Sequence, residues 1–280
     1  MIYTVTLNPA VDRELTVSAI EFDTVLRASE QRVDCGGKGF NVSRMVAQLG
    51  GESVALGFAG GRSGEMLRDI LHERGVRTDF VWVDGETRTN VSIVTDGHYV
   101  KVNESGIKVS EENQASLIDT IRKHAKSGDW WVLAGSLPPG VAVNFYAKLI
   151  SILKAADANV ILDASGEALR LGVATAPNLV KPNEHEAAEI TGEADPHLAA
   201  QALMQMGVTN VIISLGADGI LLVQGDSQIH IQPPRIEESN PIGAGDALVG
   251  GVVWALDGGM SLQEAAYWGV ACGTVAATLP

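Results

Sequence analysis

Cysteine is nearly absent. Cys35 and Cys272 are the only two in 280 residues, with no CxxC and no Cys/His pair at zinc spacing, so a disulfide framework and a structural zinc are excluded. Bases are scarce too, twenty against thirty-four acids, for a formal charge of −14. Such a surface does not grip nucleic acid or an anionic membrane as a whole. Any anionic ligand must be held by a local cluster of bases or by helix N-termini. No charged segment followed by an apolar core opens the sequence. The longest weakly polar stretch, residues 268–280, is too short and too rich in Gly and Thr to span a bilayer. The expectation is a reducing, cytoplasmic setting with no nucleic-acid or membrane partner. GxxxxGK[ST], GxGxxG after a strand and GxSxG are all missing, and His185-Glu186-Ala187-Ala188-Glu189 lacks the second histidine of a metalloprotease helix.

Glycine is abundant instead, at 31 residues. That implies many tight turns or close backbone approaches to a ligand. With 46% hydrophobic residues the chain is long enough for a substantial core, as one large domain or two modest ones. Short apolar runs at 2–7, 53–58, 131–136, 160–164, 179–181 and 211–215 read as strands. Helical patterns lie at 40–49, 64–74, 111–126, 144–156, 184–191, 198–206, 247–256 and 261–278. Apolar strands without alternation are buried on both faces, which makes the fold class α/β with a mainly parallel sheet between helices. Residues 15–33 and 78–102 alternate without helices and read as a small antiparallel lid with one wet face, inserted over the carboxyl edge of that sheet.

Four short motifs and two single residues carry chemistry, each with a plain structural alternative. Gly36-Gly37-Lys38-Gly39, followed by Asn41, is either an anion-binding helix start or a flexible loop with an incidental lysine. Gly243-Ala244-Gly245-Asp246 is either an anion hole with a base for an attacking hydroxyl or an ordinary acid in a first helical turn. Asn183-Glu184-His185-Glu186 is a capping box, or else an amide and a carboxylate that hold Mg²⁺ and its waters near phosphates. Ser214, Gly216 and Gly219 make a bare turn or a nucleotide-binding edge. Arg88 clasps an anion or solvates a strand, and Asp12 binds sugar hydroxyls or solvent.

Taken in order, Thr6-Leu7-Asn8-Pro9-Ala10-Val11-Asp12, the Gly-Gly-Lys-Gly-x-Asn loop, Gly135-Ser136-Leu137-Pro138, Lys181-Pro182-Asn183-x-x-Glu186 and Gly243-Ala244-Gly245-Asp246 resemble the phosphofructokinase B branch of the ribokinase-like sugar kinases. The motifs span residues 1 to about 247. The resemblance implies one ribokinase-like three-layer α/β domain over 1–280, with a lid from roughly 13–35 and 78–103. It implies ATP as phosphoryl donor with Mg²⁺, Asp246 as general base, and Gly243, Ala244 and Gly245 as the anion hole. Asp12, Gly37, Asn41 and Ser136 match sugar-binding positions. Asn183 and Glu186 match the magnesium and phosphate motif, with Glu186 acting on the metal through water. Ser214, Gly216, Gly219 and Gly245 match nucleotide contacts.

Lys38, Arg88 and Arg27 add positive charge that suits a sugar already carrying a phosphate. With the segments 86–88 and 165–169 they are most similar to the family's fructose-1-phosphate kinases, with tagatose-6-phosphate kinases next. Homodimerisation through the lid is a further implication. A nucleoside or neutral-sugar kinase fits those bases less well, and the intact Asp246 argues against a non-catalytic sensor. Family members usually continue for another helix beyond Pro280, so either this sequence is truncated or its adenine site is completed differently.

Overall fold

The computed structural model describes every residue except 97, 237–241 and 280. β1 (Ile2–Thr6) leads into a first excursion, β2 (Ala10–Thr16) and β3 (Glu30–Gly36), and then α1 (Lys38–Gln48). β4 (Ser53–Ala59), α2 (Gly61–Glu73) and β5 (Arg77–Trp82) follow. A second excursion is β6 (Thr89–Thr95) and β7 (His98–Asn103). α3 (Glu111–His124), β8 (Trp130–Ala134), α4 (Phe145–Ala155), β9 (Asn159–Asp163), α5 (Gly166–Val173) and β10 (Leu179–Val180) continue the core. The rest is α6 (Glu184–Thr191), α7 (Pro196–Gln205), β11 (Asn210–Ser214), β12 (Ile220–Gln224), β13 (Ser227–Ile231), α8 (Ala244–Asp257) and α9 (Leu262–Thr278).

The large sheet has the order β13-β12-β11-β10-β9-β8-β1-β4-β5, parallel except at the β11–β12 and β12–β13 pairings, which are antiparallel. Neighbouring residues of a strand serve opposite faces. Trp131 and Leu133 of β8 join a core with α3 to α7, whereas Val132 and Ala134 join one with α1, α8 and α9. All four are fully buried, and each large side chain so enclosed contributes roughly 1.5–3 kcal/mol. The helices therefore form two layers around the sheet, as the unalternating strands imply. Ser110 caps α3 with acids behind it, as its sequence pattern implies. Strand order reverses at β1, flanked by β4 and β8, and a crevice belongs beyond the carboxyl ends at such a point.

The smaller sheet, in the order β3-β2-β6-β7, lies over that edge and differs from expectation in two ways. Its central pair β2–β6 is parallel, because both strands leave the core in the same direction. β5, read with the lid, instead closes the edge of the large sheet against β4. An edge strand alternates in polarity for the same reason a lid strand does, since both leave one face wet. α5 and the β12–β13 hairpin carried no sequence reading of their own. No helix among the described residues is long and apolar enough to cross a membrane.

Gly57 of β4 stands opposite Thr6 of β1, at φ 150°. A Cβ there would fall on the Thr6 carbonyl oxygen, which a paired strand cannot move. Gly57→Ala is expected to cost about 3 kcal/mol or more in urea unfolding. A change within about 0.5 kcal/mol would show that the β1–β4 register yields.

Candidate active site

α8 positions the site. It is buried from Asp246 through Val253, packed against α1 and α9. Two glycines permit the close approach. A Cβ on Gly250 would meet Met45 Cβ of α1 at 2.6 Å, and one on Gly251 would meet the Trp268 carbonyl oxygen of α9 at 2.8 Å. Its N-cap, Gly243, turns in at φ 85°, and this first turn borders two clefts. The larger, 590 Å³, is lined by Asn183, Ser214, Gly216 and Gly219 together with Ala244 and Gly245. The smaller, 260 Å³, lies under the lid and is lined by Asp12, Asn41 and Arg44 together with Gly243 and Ala247.

Asp246 lies in that turn, 8% exposed. Its Oδ2 accepts a 2.8 Å hydrogen bond from Asn41 Nδ2. Arg44 Nη1 donates to Asn41 Oδ1 at 3.3 Å, which orients the amide so that its NH₂ faces the carboxylate. Arg44 is itself held on Asp34, at 3.1 Å, beside Arg74 at 2.8 Å. Burial first and the Asp163 carboxylate second push the Asp246 carboxyl up to about 6, against the opposing pull of Asn41, Lys38 and Lys181. Asp163, 1% exposed at the end of β9, bonds Lys38 Nζ through Oδ1 at 2.8 Å and faces Lys181 Nζ through Oδ2 at 3.4 Å. Burial pulls the Lys38 ammonium down, but the surrounding carboxylates, Asp163 foremost, outweigh it and leave its pKa raised.

On the lid side, Asp12 Oδ1 accepts from Asn90 Nδ2 at 2.7 Å. Gly37, at φ 134°, turns the chain into α1 where a Cβ would press on Thr6. Ser136 Oγ is 3.3 Å from Asn8 Nδ2. Arg88 spends three donors on main-chain carbonyls, those of Asn8 at 2.9 Å, Pro9 at 3.3 Å and Glu104 at 2.9 Å, so it ties the lid to the core. Arg27 is exposed on the β2–β3 connection and lines neither cleft.

On the other side the capping box is formed: Asn183 N donates to Glu186 Oε2 at 2.9 Å and Glu186 N to Asn183 Oδ1 at 2.8 Å. Gly216 and Gly219, at φ 59° and 88°, frame a short 3₁₀ turn after β11. Val270, Gly273 and Thr274 of α9 complete the wall. Among the described residues no three His, Cys, Asp or Glu side chains gather as metal ligands. A magnesium ion carried on phosphates needs only one or two carboxylates besides phosphate oxygens and water, and Glu186 beside this cleft fits that smaller requirement.

Sequence reasoning singled out Asp246, Asn41 and Lys38 but not Asp163, Arg44 or Asn90. The signal for Asp163 was present: a carboxylate that ends an otherwise apolar buried strand. Arg44 and Asn90 carry no such mark, since Arg44 is fixed by Asp34 on another element and Asn90 by Asp12, 78 residues away.

The sequence model of the pfkB family carbohydrate kinases matches residues 5–280. The 1-phosphofructokinase of Bacillus subtilis (strain 168) is 36% identical over 284 residues, covering 99% of this chain and 92% of that protein. Phosphofructokinase-2 from Escherichia coli in complex with fructose-6-phosphate superposes with a TM-score of 0.93 at 33% identity, covering 99% of this chain and 93% of that one. The same Escherichia coli protein also has a solved tetrameric inhibited form, with a TM-score of 0.94 at 33% identity and the same coverage. Ribokinase from Thermotoga maritima, 23% identical with a TM-score of 0.82, covers 99% of this chain and 93% of its own and shares the fold.

The Asp246 pKa of about 6 lies above the ordinary 3.8, so the folded state binds a proton more tightly than the unfolded chain. Stability therefore rises as pH falls through about 6 towards 4, and the ionised form costs stability at neutral pH. Asp246→Asn is expected to stabilise the protein by about 1–3 kcal/mol at neutral pH, the gain fading near pH ~4. Urea unfolding at both pH values checks it; no gain at neutral pH would contradict the assigned environment.

Proposed function

The chain belongs to the pfkB family of carbohydrate kinases, and we propose that it transfers the terminal phosphoryl group of ATP to a hydroxyl of a phosphorylated ketohexose, converting fructose 1-phosphate to fructose 1,6-bisphosphate. One observation carries this reading. The Asp246 carboxylate sits in a single helix N-terminus that borders both clefts, so a donor in one and an acceptor in the other meet across it. The similarity to a protein named 1-phosphofructokinase supports the acceptor. A second reading, a 6-phosphorylated ketose such as tagatose 6-phosphate or fructose 6-phosphate, is favoured by the likeness to a phosphofructokinase-2 that holds the latter.

In the transfer, Asp246 takes the proton of the attacking hydroxyl. The bond from that oxygen to the γ-phosphorus forms as the bond to the β–γ bridging oxygen breaks, and its electron pair leaves with ADP. The main-chain N–H groups of Gly243, Ala244 and Gly245 at the positive end of α8 stabilise charge on the moving group. Asn41 holds the base in place, with Asp12, Gly37 and Ser136 assigned to the sugar. Lys38 supplies positive charge beside Asp246, whereas Arg88 is committed to main-chain carbonyls and Arg27 lines neither cleft. Asn183, Ser214, Gly216, Gly219 and Gly245 are assigned to the nucleotide. Glu186 is the residue to hold Mg²⁺ through water, and the bound ion supplies charge neutralisation on the nucleotide phosphates.

The lid supports a homodimer. Tyr99 and Val102 of β7 are 69% and 59% exposed, and Phe22 and Val25 of the β2–β3 connection are exposed as well. Exposed apolar side chains on the edge strand β7 and on the β2–β3 connection are what support a partner there. Light scattering on Tyr99→Glu is expected to give a monomer where the parent is a dimer; unchanged mass, or a monomeric parent, would remove the lid as interface.

Coupled ADP release with MgATP on fructose 1-phosphate, tagatose 6-phosphate, fructose 6-phosphate and free fructose tests the reaction. Fructose 1-phosphate is expected to give the highest kcat/KM, and Asp246→Asn to lower kcat about a hundredfold to ten-thousandfold. Turnover should fall on the acid side as pH drops through about 6, where Asp246 takes up a proton. Arg88→Ala, which unties the lid from the core, should raise KM for phosphorylated sugars and free fructose alike. Preference for a 6-phosphate would replace the substrate, and no turnover on any of the four would overturn the kinase reading.

A further inference from the structure

Asp163 takes no part in the proton transfer, yet it is among the most deeply buried charges in the molecule, 1% exposed between β8 and β10. An ionised carboxylate there costs several kcal/mol of desolvation unless it is compensated. Two ammonium groups compensate it, brought from separate elements. Lys38 is the first residue of α1, and Lys181 follows β10 and is itself 5% exposed. Each takes one carboxylate oxygen, Lys38 on Oδ1 and Lys181 on Oδ2.

A second observation shows where those charges point. The Nζ of Lys181 is the atom that a Cβ on Gly245 would meet, at 3.7 Å, so this ammonium stands against the first turn of α8, the turn assigned as the anion hole. Lys38 opens the helix whose Asn41 holds Asp246 and whose Arg44 lines the cleft under the lid. Two ammonium groups beside the positive end of α8 repel each other and the helix dipole. The carboxylate beneath them is what keeps both from turning away.

We propose that Asp163 is a positioning residue of the transfer step: its carboxylate holds the Lys38 and Lys181 ammonium groups beside Asp246 at the α8 N-terminus, so that the phosphoryl group in transit meets two fixed positive charges. The bonds made and broken are those of the transfer above; Asp163 neither gains nor loses a proton. This rests on the kinase reading. The charged groups that face Asp246 are Asp163 of β9, Lys38 of α1 and Lys181 after β10, with Glu186 of α6 acting on Lys38. Removing one negative or one positive neighbour therefore shifts its titration in opposite directions, which a purely structural ion pair does not do to a rate.

The test compares Asp163→Asn, Asp163→Glu and Lys38→Met with the parent chain, measuring kcat and both KM values from about pH 5 to pH ~9. Asp163→Asn is expected to lower kcat about tenfold or more, to hold both KM values within about twofold, and to move the acid limb to lower pH. Asp163→Glu, which keeps the charge but displaces it, should restore the limb and not kcat. Lys38→Met should move the limb to higher pH. An unmoved limb in Asp163→Asn, or a kcat loss matched by lost folded fraction, overturns the proposal. Should Asp163→Asn not fold, an unmoved or lowered limb in Lys38→Met overturns it. A parent chain without turnover overturns the kinase reading instead, so the two failures are distinguishable.

Discussion

A helix that is apolar on every side has to be enclosed on every side, and α8 meets that demand between the sheet, α1 and α9. Its glycines let the neighbouring helices approach to backbone contact, so it has little freedom to slide or tilt. Apart from Asp257 at its far end, the polar part of α8 is its first turn, which lies beside the residues that end β9 and β10. Everything else at the site is arranged around this fixed point. Asn41 reaches it from α1, and Asp163 and Lys181 from the ends of β9 and β10. The two clefts are separate because α8 divides them, and they communicate because its N-terminus is shared.

The electrostatics answer a problem set by the whole molecule. A chain with a formal charge of −14 repels anions at long range, yet cationic groups gather beside its clefts. Besides Arg13, Arg32 and Lys101 along the cleft under the lid, positive charge comes from a helix N-terminus, two lysines on one buried carboxylate, and arginines held on Asp34 or on main-chain carbonyls. The lysines on Asp163 and the arginines on Asp34 are tethered by acids, so their direction is set before any ligand arrives. The same crowding keeps Asp246 more basic than an exposed aspartate while leaving it mostly ionised at neutral pH.

Much of this was legible in the residues. Strands such as 131–134 are apolar at successive positions because helices cover both faces, whereas a strand with one wet face alternates. The Asn183 capping box and the glycine-framed Asp246 were legible because their partners lie within one helical turn. What stayed hidden was long-range. Whether Arg77–Trp82 joins the lid or the sheet edge depends on which strand it meets, since either place leaves one face wet. The grip of Asp163 on Lys38 spans 125 residues, and nothing near either side chain announces the other. Arg88 reads as an exposed base on a strand, and only the folded lid reveals that its donors are already occupied.

The parallel pairing of β2 with β6 has a bearing on how the molecule assembles. Asp12 and Asn90, neighbours across that pair, are 78 residues apart in the chain. Their strands meet only after β4, α2 and β5 have closed the intervening loop, and that closure spends chain entropy before the pairing returns any stabilisation. The β2–β6 pairing thus carries a closure cost that the local β2–β3 and β6–β7 pairings of the same sheet do not. Any change that loosens β4, α2 or β5 therefore reaches the lid through the chain that joins its two halves.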